Sequence, residues 1–135
     1  MTVFPPQKGE IWWVEDSEVT MHPDGRQYKK KRPVLIVSSN LFNKVKEFPF
    51  VHIIPLSRQA EVDELIIPIQ RGFIETSNGF KPDKDSCAIV PFIQPIERRF
   101  IKERCGKIEE DIFYAILSTL FVKVFNYNSY DLNID

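Results

Sequence analysis

The chain has 135 residues, 43% of them hydrophobic, and a formal net charge of -1. This length suits one domain with a sizeable core, and the near-zero charge excludes strong attraction of the whole molecule to nucleic acid. The two cysteines do not make a disulfide framework, and we expect both to be reduced and inert. No apolar run approaches the about 20 residues of a membrane span, and Phe4-Pro5-Pro6 excludes a signal-peptide core. We therefore expect a cytoplasmic protein with no membrane partner.

Six strands are predicted in chain order. Aromatic and β-branched residues indicate the first strand at 10–15. The others are predicted at 33–39, 49–56, 64–69, 86–93 and 101–108. The unbroken apolar run of the second strand predicts burial on both of its faces. Residues 16–31 and 70–85 are predicted as long loops, which are often functional, and residues 94–98 as a turn.

The clearest helix is predicted over residues 109–125. Apolar side chains recur there at four-residue spacing, at Ile112, Ile116, Leu120 and Val124. The polar tail 126–135 is predicted to fray. We therefore predict a single mainly β (α+β) domain over residues 1–125. In it, about six strands form a small barrel or strongly bent sheet covered by the C-terminal helix.

Arg32 and Ser57 are the candidate catalytic residues, because each lies at the end of a predicted buried strand. Pro33 restricts Arg32 to extended geometry, and a guanidinium offers a planar fork of donors to phosphate oxygens. The Ser57 hydroxyl can donate to a phosphoryl oxygen or orient a ribose 2′-OH. The alternatives are a solvated arginine in a lysine-rich loop and a turn serine that bonds to its own backbone.

Other side chains are candidates for binding. Lys30 and Lys31 belong to the one dense basic stretch, and His22 in the first long loop titrates near neutral pH. Trp12 and Trp13 should face opposite sides of their strand, so that one ring points outward to stack a base or to contact a second copy. No spacing of His, Cys or acidic residues indicates a zinc or calcium site, and no Gly-rich phosphate motif is present. We expect no metal and no other cofactor.

The sequence resembles the MazF/PemK/Kid family, the ribonuclease toxins of bacterial toxin–antitoxin pairs. The matching segments, in order, are KGEIWWV at 8–14, RPVLIVS at 32–38, LFNK at 41–44 and PLSRQ at 55–59. The similarity covers roughly residues 8–125, and the predicted helix falls where the family has its last helix. The resemblance implies an SH3-like, CcdB-like barrel that dimerises. It also implies metal-independent cleavage of single-stranded RNA, in which the 2′-OH attacks the adjacent phosphate to leave 2′,3′-cyclic phosphate and 5′-OH ends.

The resemblance also implies roles for individual residues. Arg32 matches the family's catalytic arginine before proline, and Ser57 stands where threonine is usual, so the hydroxyl is kept. The family's Ser/His-Glu-Gln segment is missing from the first loop, and residues 94–98 replace its Arg-Thr-Ile-Asp-like stretch. The predicted RNA-binding residues are Lys30, Lys31, Arg58, Gln59, Glu97, Arg98 and His22.

The implied partners are single-stranded RNA, a second copy of the chain, and a cognate antitoxin whose acidic, disordered tail folds over residues 29–32. On this hypothesis, Arg32→Ala abolishes RNA cleavage and leaves the fold intact. The alternative is a non-catalytic binding protein on the same barrel. It would be either a gyrase poison, as in CcdB relatives, or a silent module that binds RNA or DNA.

Overall fold

Eight antiparallel strands and two α-helices make up the part of the chain that the computed structural model describes, residues 5–21, 30–58, 64–82 and 87–127. The strands are β1 Glu10–Glu15, β2 Lys31–Ile36, β3 Phe50–Ser57, β4 Ile66–Pro68, β5 Phe73–Thr76, β6 Cys87–Ile89, β7 Gln94–Glu97 and β8 Ile101–Ile108. The helices are α1 Asn40–Asn43 and α2 Glu110–Ser118. The chain continues from α2 into a π-helical segment, Thr119–Val124.

The strand order is β4-β6-β3-β2-β1-β8-β5, and β7 also pairs with β3. β3 changes partner along one edge: Phe50 to Ile53 pair with β7, whereas Leu56 and Ser57 pair with β6. Its other edge pairs with β2. β3 therefore spans the molecule and gives it two distinct ends, one at Ser57 and one at Phe50.

Both faces of the central strands β1, β2 and β3 are buried, because each face packs against its own core. Side chains alternate across a strand, and those of one face, such as Trp13 and Leu35, pack with Phe113, Ile116 and Leu120 of the terminal helix. The other face forms a second core, made of Trp12, Val14, Val19, Val34, Ile36, Val51, Ile53, Ile96 and Ile101. The predicted two-sided burial of the second strand is confirmed.

The second core overturns the prediction that one tryptophan points outward. Trp12 is 0% exposed and Trp13 is 7% exposed. The Trp12 indole N–H donates to Glu10 Oε1 at 3.1 Å, and that of Trp13 donates to the carbonyl oxygen of Asn78 at 2.9 Å. Alternation was right, but both sides of the strand are interior, so neither ring is available to stack a base.

The predicted count of six strands was too low. β5 lies inside the predicted loop 70–85, where most of its side chains are exposed and show no alternation. β7 occupies the predicted turn and contains Pro95, which is tolerated because β7 pairs on one side only, with β3. α1 was also missed; its N-cap is Ser39, whose hydroxyl accepts a hydrogen bond from the Phe42 N–H.

The terminal helix is present where it was predicted, although its hydrogen bonding changes after Ser118. α2 has no side-chain cap at Glu109. In the π-helical segment, the Phe125 N–H donates to the carbonyl oxygen of Leu120, five residues earlier, at 3.0 Å. None of the described helices is long and apolar enough to cross a membrane.

Gly106 is required where β8 meets β5. A Cβ added there would overlap the backbone carbonyl oxygen of Glu75, which cannot move without separating the strands. We expect Gly106→Ala to lower the free energy of unfolding by about 1–3 kcal/mol, as measured by urea denaturation. Lys107→Ala, at the exposed neighbouring position, is the control and should change stability by about 0.5 kcal/mol or less. Equal midpoints for both variants would contradict this assignment.

Candidate functional site

Arg32 is held in a fixed orientation by two hydrogen bonds. Its Nε donates to Asp16 Oδ1 at 2.6 Å, which is also an ion pair. Its Nη1 donates to the carbonyl oxygen of Leu56 at 3.0 Å. A guanidinium has five N–H donors, so three remain without a partner among the described residues. These three are the donors with which Arg32 can hold an anion.

Ser57 follows the residue that Arg32 contacts. The Arg32 guanidinium donates to the carbonyl oxygen of Leu56, the residue before Ser57. β2 and β3 are antiparallel, and their pairing ends with Val34 opposite Pro55; the same register, continued by two residues, would set Arg32 opposite Ser57. Ser57 is half-buried, and its hydroxyl makes no hydrogen bond to another described residue. The Arg32 guanidinium therefore lies beside the chain segment that carries Ser57.

The burial of Arg32 differs from both sequence-based interpretations. The residue is only 6% exposed, so it is not a solvated loop cation, and a phosphate would have to meet its guanidinium at the small part that stays open to solvent. Its partner Asp16, 0% exposed, was not identified from the sequence. The signal was available: Val14 pairs with Arg32, and a carboxylate two residues after Val14 lies on the same face of the sheet.

A cleft of about 670 Å³ is lined by residues adjacent in the chain to Asp16 and Arg32. Its lining residues among those described are Glu15, Ser17, Lys30, Lys31, Lys102 and Glu103. Lys102 is paired with Glu15 at 2.7 Å, whereas Lys30 is exposed and has no ion pair with a described residue. The cleft is therefore wide enough for a polar ligand and is lined by three lysines against two carboxylates.

Three exposed cations supply the positive charge at this end of the molecule. The ammonium of Lys31 lies 4.2 Å from the centroid of the Trp13 ring, a cation–π contact that holds it at the cleft. Lys30 and Arg58, the chain neighbours of Lys31 and Ser57, are also exposed. Because the buried Arg32–Asp16 pair is formally neutral, these exposed side chains are the candidates, among the described residues, for long-range attraction of an anion.

Glu97 and Arg98 lie elsewhere, so the structure does not bring them to Arg32 and Ser57. Glu97 pairs with Phe50 at the first residue of β3, seven residues from Ser57, which corresponds to up to about 23 Å of strand. Glu97 accepts a hydrogen bond from Arg99 at 2.5 Å, and Arg98 donates to the carbonyl oxygen of Phe48. RNA binding by Glu97 and Arg98 stays a prediction.

Two predicted RNA-binding residues, His22 and Gln59, lie outside the described residues. His52, the other histidine, packs against Phe42 and Phe50, with ring centroids 5.3 and 5.6 Å away, at the Phe50 end of β3. Among the described residues no cluster of three or more His, Cys, Asp or Glu side chains could hold a metal ion.

Cysteine is not the nucleophile at this site. Cys87 and Cys105 are buried and form no disulfide, and burial raises the pKa of the Cys105 thiol against the opposing effect of the nearby Lys31. The reactive thiolate is therefore scarce at neutral pH. We expect the native protein to react with no equivalent of Ellman's reagent and the unfolded protein with both thiols. A native thiol that reacts as fast as free cysteine would contradict the burial of that side chain.

Comparison with known proteins identifies the family to which this chain is similar. A family model described as PemK-like, MazF-like toxin of type II toxin–antitoxin system matches residues 7–122. Among solved structures, MazF from Deinococcus radiodurans is 14% identical with a TM-score of 0.67, over 93% of this chain and 100% of that chain. The Mycobacterium tuberculosis toxin MazF-mt6 is 15% identical with a TM-score of 0.62, over 88% and 98%.

A mycobacterial endoribonuclease in complex with its cognate antitoxin is also similar, at 13% identity and a TM-score of 0.63 over 92% of this chain and 98% of that one. At these identities the solved structures show the fold. No curated protein matches the sequence. The family model, by contrast, spans most of the domain and includes both Arg32 and Ser57. The chain therefore belongs to the PemK-like, MazF-like toxin family of type II toxin–antitoxin systems.

Proposed function

We propose that this protein is an endoribonuclease toxin that cleaves single-stranded RNA without a metal ion. The observation that carries the proposal is the hydrogen bond from Arg32 to the carbonyl oxygen of Leu56, which holds the guanidinium at the strand end that carries Ser57. A cleft lined by exposed lysines adjacent in the chain to Arg32 supports it. Membership in the toxin family and the fold shared with endoribonucleases support it.

In this mechanism the protein positions a phosphate and stabilises its transition state. The ribose 2′-oxygen bonds to phosphorus while the bond from phosphorus to the 5′-oxygen breaks, giving a 2′,3′-cyclic phosphate and a 5′-OH. The 2′-OH loses one proton and the 5′-oxygen gains one, so no water is consumed. The free Arg32 donors would hold the nonbridging oxygens, whose charge grows during the reaction, and the Ser57 hydroxyl would fix the phosphate or the 2′-OH.

We also propose two protein partners. One is a second copy of the chain. The other is an antitoxin whose acidic segment covers the exposed cations Lys30, Lys31 and Arg58 and thereby excludes RNA from the cleft. Support comes from the charge of that surface and from the mycobacterial relative, whose structure contains its cognate antitoxin.

Incubation of the purified protein with a long RNA in EDTA tests the proposed chemistry. We expect discrete fragments whose 3′ ends are cyclic phosphates and whose 5′ ends are accepted by polynucleotide kinase without prior dephosphorylation. Intact RNA would refute the proposal, and intact RNA together with trapped gyrase–DNA complexes would establish the gyrase-poison alternative. End-sequencing of the fragments would then give the cleavage motif.

A further inference from the structure

We infer that a second surface, at the Phe50 end of β3, binds the flanking part of a single-stranded RNA. This flanking surface consists of the cleft lined by Pro5, Asn43, Lys44, Lys46 and Arg98 together with the ring of Phe48. The inference rests on the proposed function and adds a contact with the same substrate, far from the bond that breaks.

Charge is the first argument for a polyanionic ligand. The cleft, of about 360 Å³, is lined by three cations and by no carboxylate among its described lining residues. Lys44 and Lys46 are exposed and make no ion pair with a described residue. The exposed Glu47 follows in the same loop without lining the cleft. In a chain with a net charge of -1, three such cations around one concave surface are a local excess of positive charge.

The third cation, Arg98, is fixed in advance of binding. Its Nε donates to the carbonyl oxygen of Phe48 at 2.9 Å and its Nη2 to that of Val45 at 3.4 Å. Its backbone N–H donates to the carbonyl oxygen of Pro49 at 2.8 Å. These bonds join the loop after α1 to the residue that follows β7 and use two of the five side-chain donors, so the remaining guanidinium donors can meet a phosphate with little loss of side-chain entropy.

An aromatic ring beside these cations is the second argument. Phe48 stacks on Phe42, with centroids 4.8 Å apart and planes 21° apart, yet it remains 40% exposed. Proteins that bind single strands combine cationic grooves with aromatic rings on which bases stack, and such stacking is tolerant of sequence. An apolar peptide would cover the ring but leave the cations unused, so a single-stranded nucleic acid satisfies both features.

The position of the flanking surface predicts a dependence on substrate length. Up to about 23 Å of strand separates Phe50 from Ser57, so a dinucleotide held at Arg32 does not reach it. A long RNA can contact both surfaces at once. Loss of the flanking surface should therefore weaken the binding of long RNA and leave the cleavage of a dinucleotide unchanged.

The test is the salt dependence of binding to a long 2′-O-methyl RNA, which cannot be cleaved, followed by fluorescence anisotropy. We expect Lys44→Ala/Lys46→Ala to reduce the slope of log Kobs against log[salt] by about 1.4, or about 0.7 for each lost phosphate contact. Phe48→Leu should weaken binding about tenfold. Lys81→Ala/Lys123→Ala, which removes two exposed lysines elsewhere, is the matched control and should leave affinity and slope at wild-type values.

Unchanged affinity and slope in the Lys44/Lys46 variant would overturn the inference. The inference would also be overturned if the Lys44→Ala/Lys46→Ala variant lost binding to a polyglutamate peptide but still bound RNA as the wild type does. The surface would then recognise acidic protein. The proposed function fails separately, if the wild-type protein binds the uncleavable RNA normally but leaves ordinary RNA intact.

Discussion

Replacing Arg32 by alanine is expected to abolish RNA cleavage and, in addition, to destabilise the fold by about 1–3 kcal/mol. The activity is lost because Arg32 is the group proposed to hold the phosphate. The stability is lost because Asp16, fully buried and 2.6 Å from Arg32 Nε, would lose this ion pair, and the carbonyl oxygen of Leu56 would lose its Arg32 donor. The sequence-based expectation was that Arg32→Ala leaves the fold intact. The buried ion pair with Asp16 predicts a loss of stability instead. Cleavage assays and urea denaturation measure the two effects.

A double variant separates catalysis from stability. Arg32→Ala/Asp16→Ala removes both buried charges, and replacing a whole buried pair by apolar groups is often nearly neutral. We expect this variant to recover part of the lost stability and still to cleave no RNA. Arg71→Ala, at an exposed arginine, should match wild type in both assays. Cleavage by the folded double variant would remove Arg32 from the mechanism.

Replacing Ser57 by alanine should act on catalysis alone. The hydroxyl makes no hydrogen bond to a described residue, so its loss should change the free energy of unfolding by about 0.5 kcal/mol or less. Loss of one donor to developing negative charge typically lowers kcat by about 10²–10³-fold. We expect Ser57→Ala to show such a decrease and Ser57→Thr, which keeps a hydroxyl, to retain most of the activity.

Single-turnover cleavage of a defined RNA is the appropriate measurement for Ser57, since it reports the chemical step rather than product release. Ser118→Ala, at an exposed serine of α2, controls for the loss of a hydroxyl as such. Wild-type rates for Ser57→Ala would show that the hydroxyl does not touch the reacting phosphate.

Local sequence patterns were sufficient to predict the strands whose side chains are buried. β1 was predicted with the bounds it has, because Trp12, Trp13 and Val14 mark a strand without any tertiary information. β5 and β7 were not predictable in this way: the first is mostly exposed, and the second contains Pro95. Each exists because a longer strand, β8 or β3, supplies its hydrogen bonds.

The candidate site shows the same division. Arg32 and Ser57 were identified from strand ends, and antiparallel pairing of β2 with β3 lets Arg32 bond to Leu56, the residue before Ser57. The burial of Arg32 was not predictable from its own surroundings in the sequence, since it depends on Asp16, sixteen residues away. Glu97 was grouped with Arg32 by resemblance alone, and pairing of β7 with the start of β3 separates them.

The π-helical turn after α2 affects how the terminal helix can tolerate a deletion. Thr119–Val124 accommodates more residues per turn than an α-helix does, so a chain shorter by one residue could close there as regular α-helix. Each residue of an α-helix rotates the next by about 100°, and the exposed rings of Phe121 and Phe125 lie in or directly after this turn. A one-residue deletion within the turn would thus be absorbed by the change from π-helix to α-helix, without that rotation, so that Phe125 after the turn and Phe113 and Ile116 before it keep their directions.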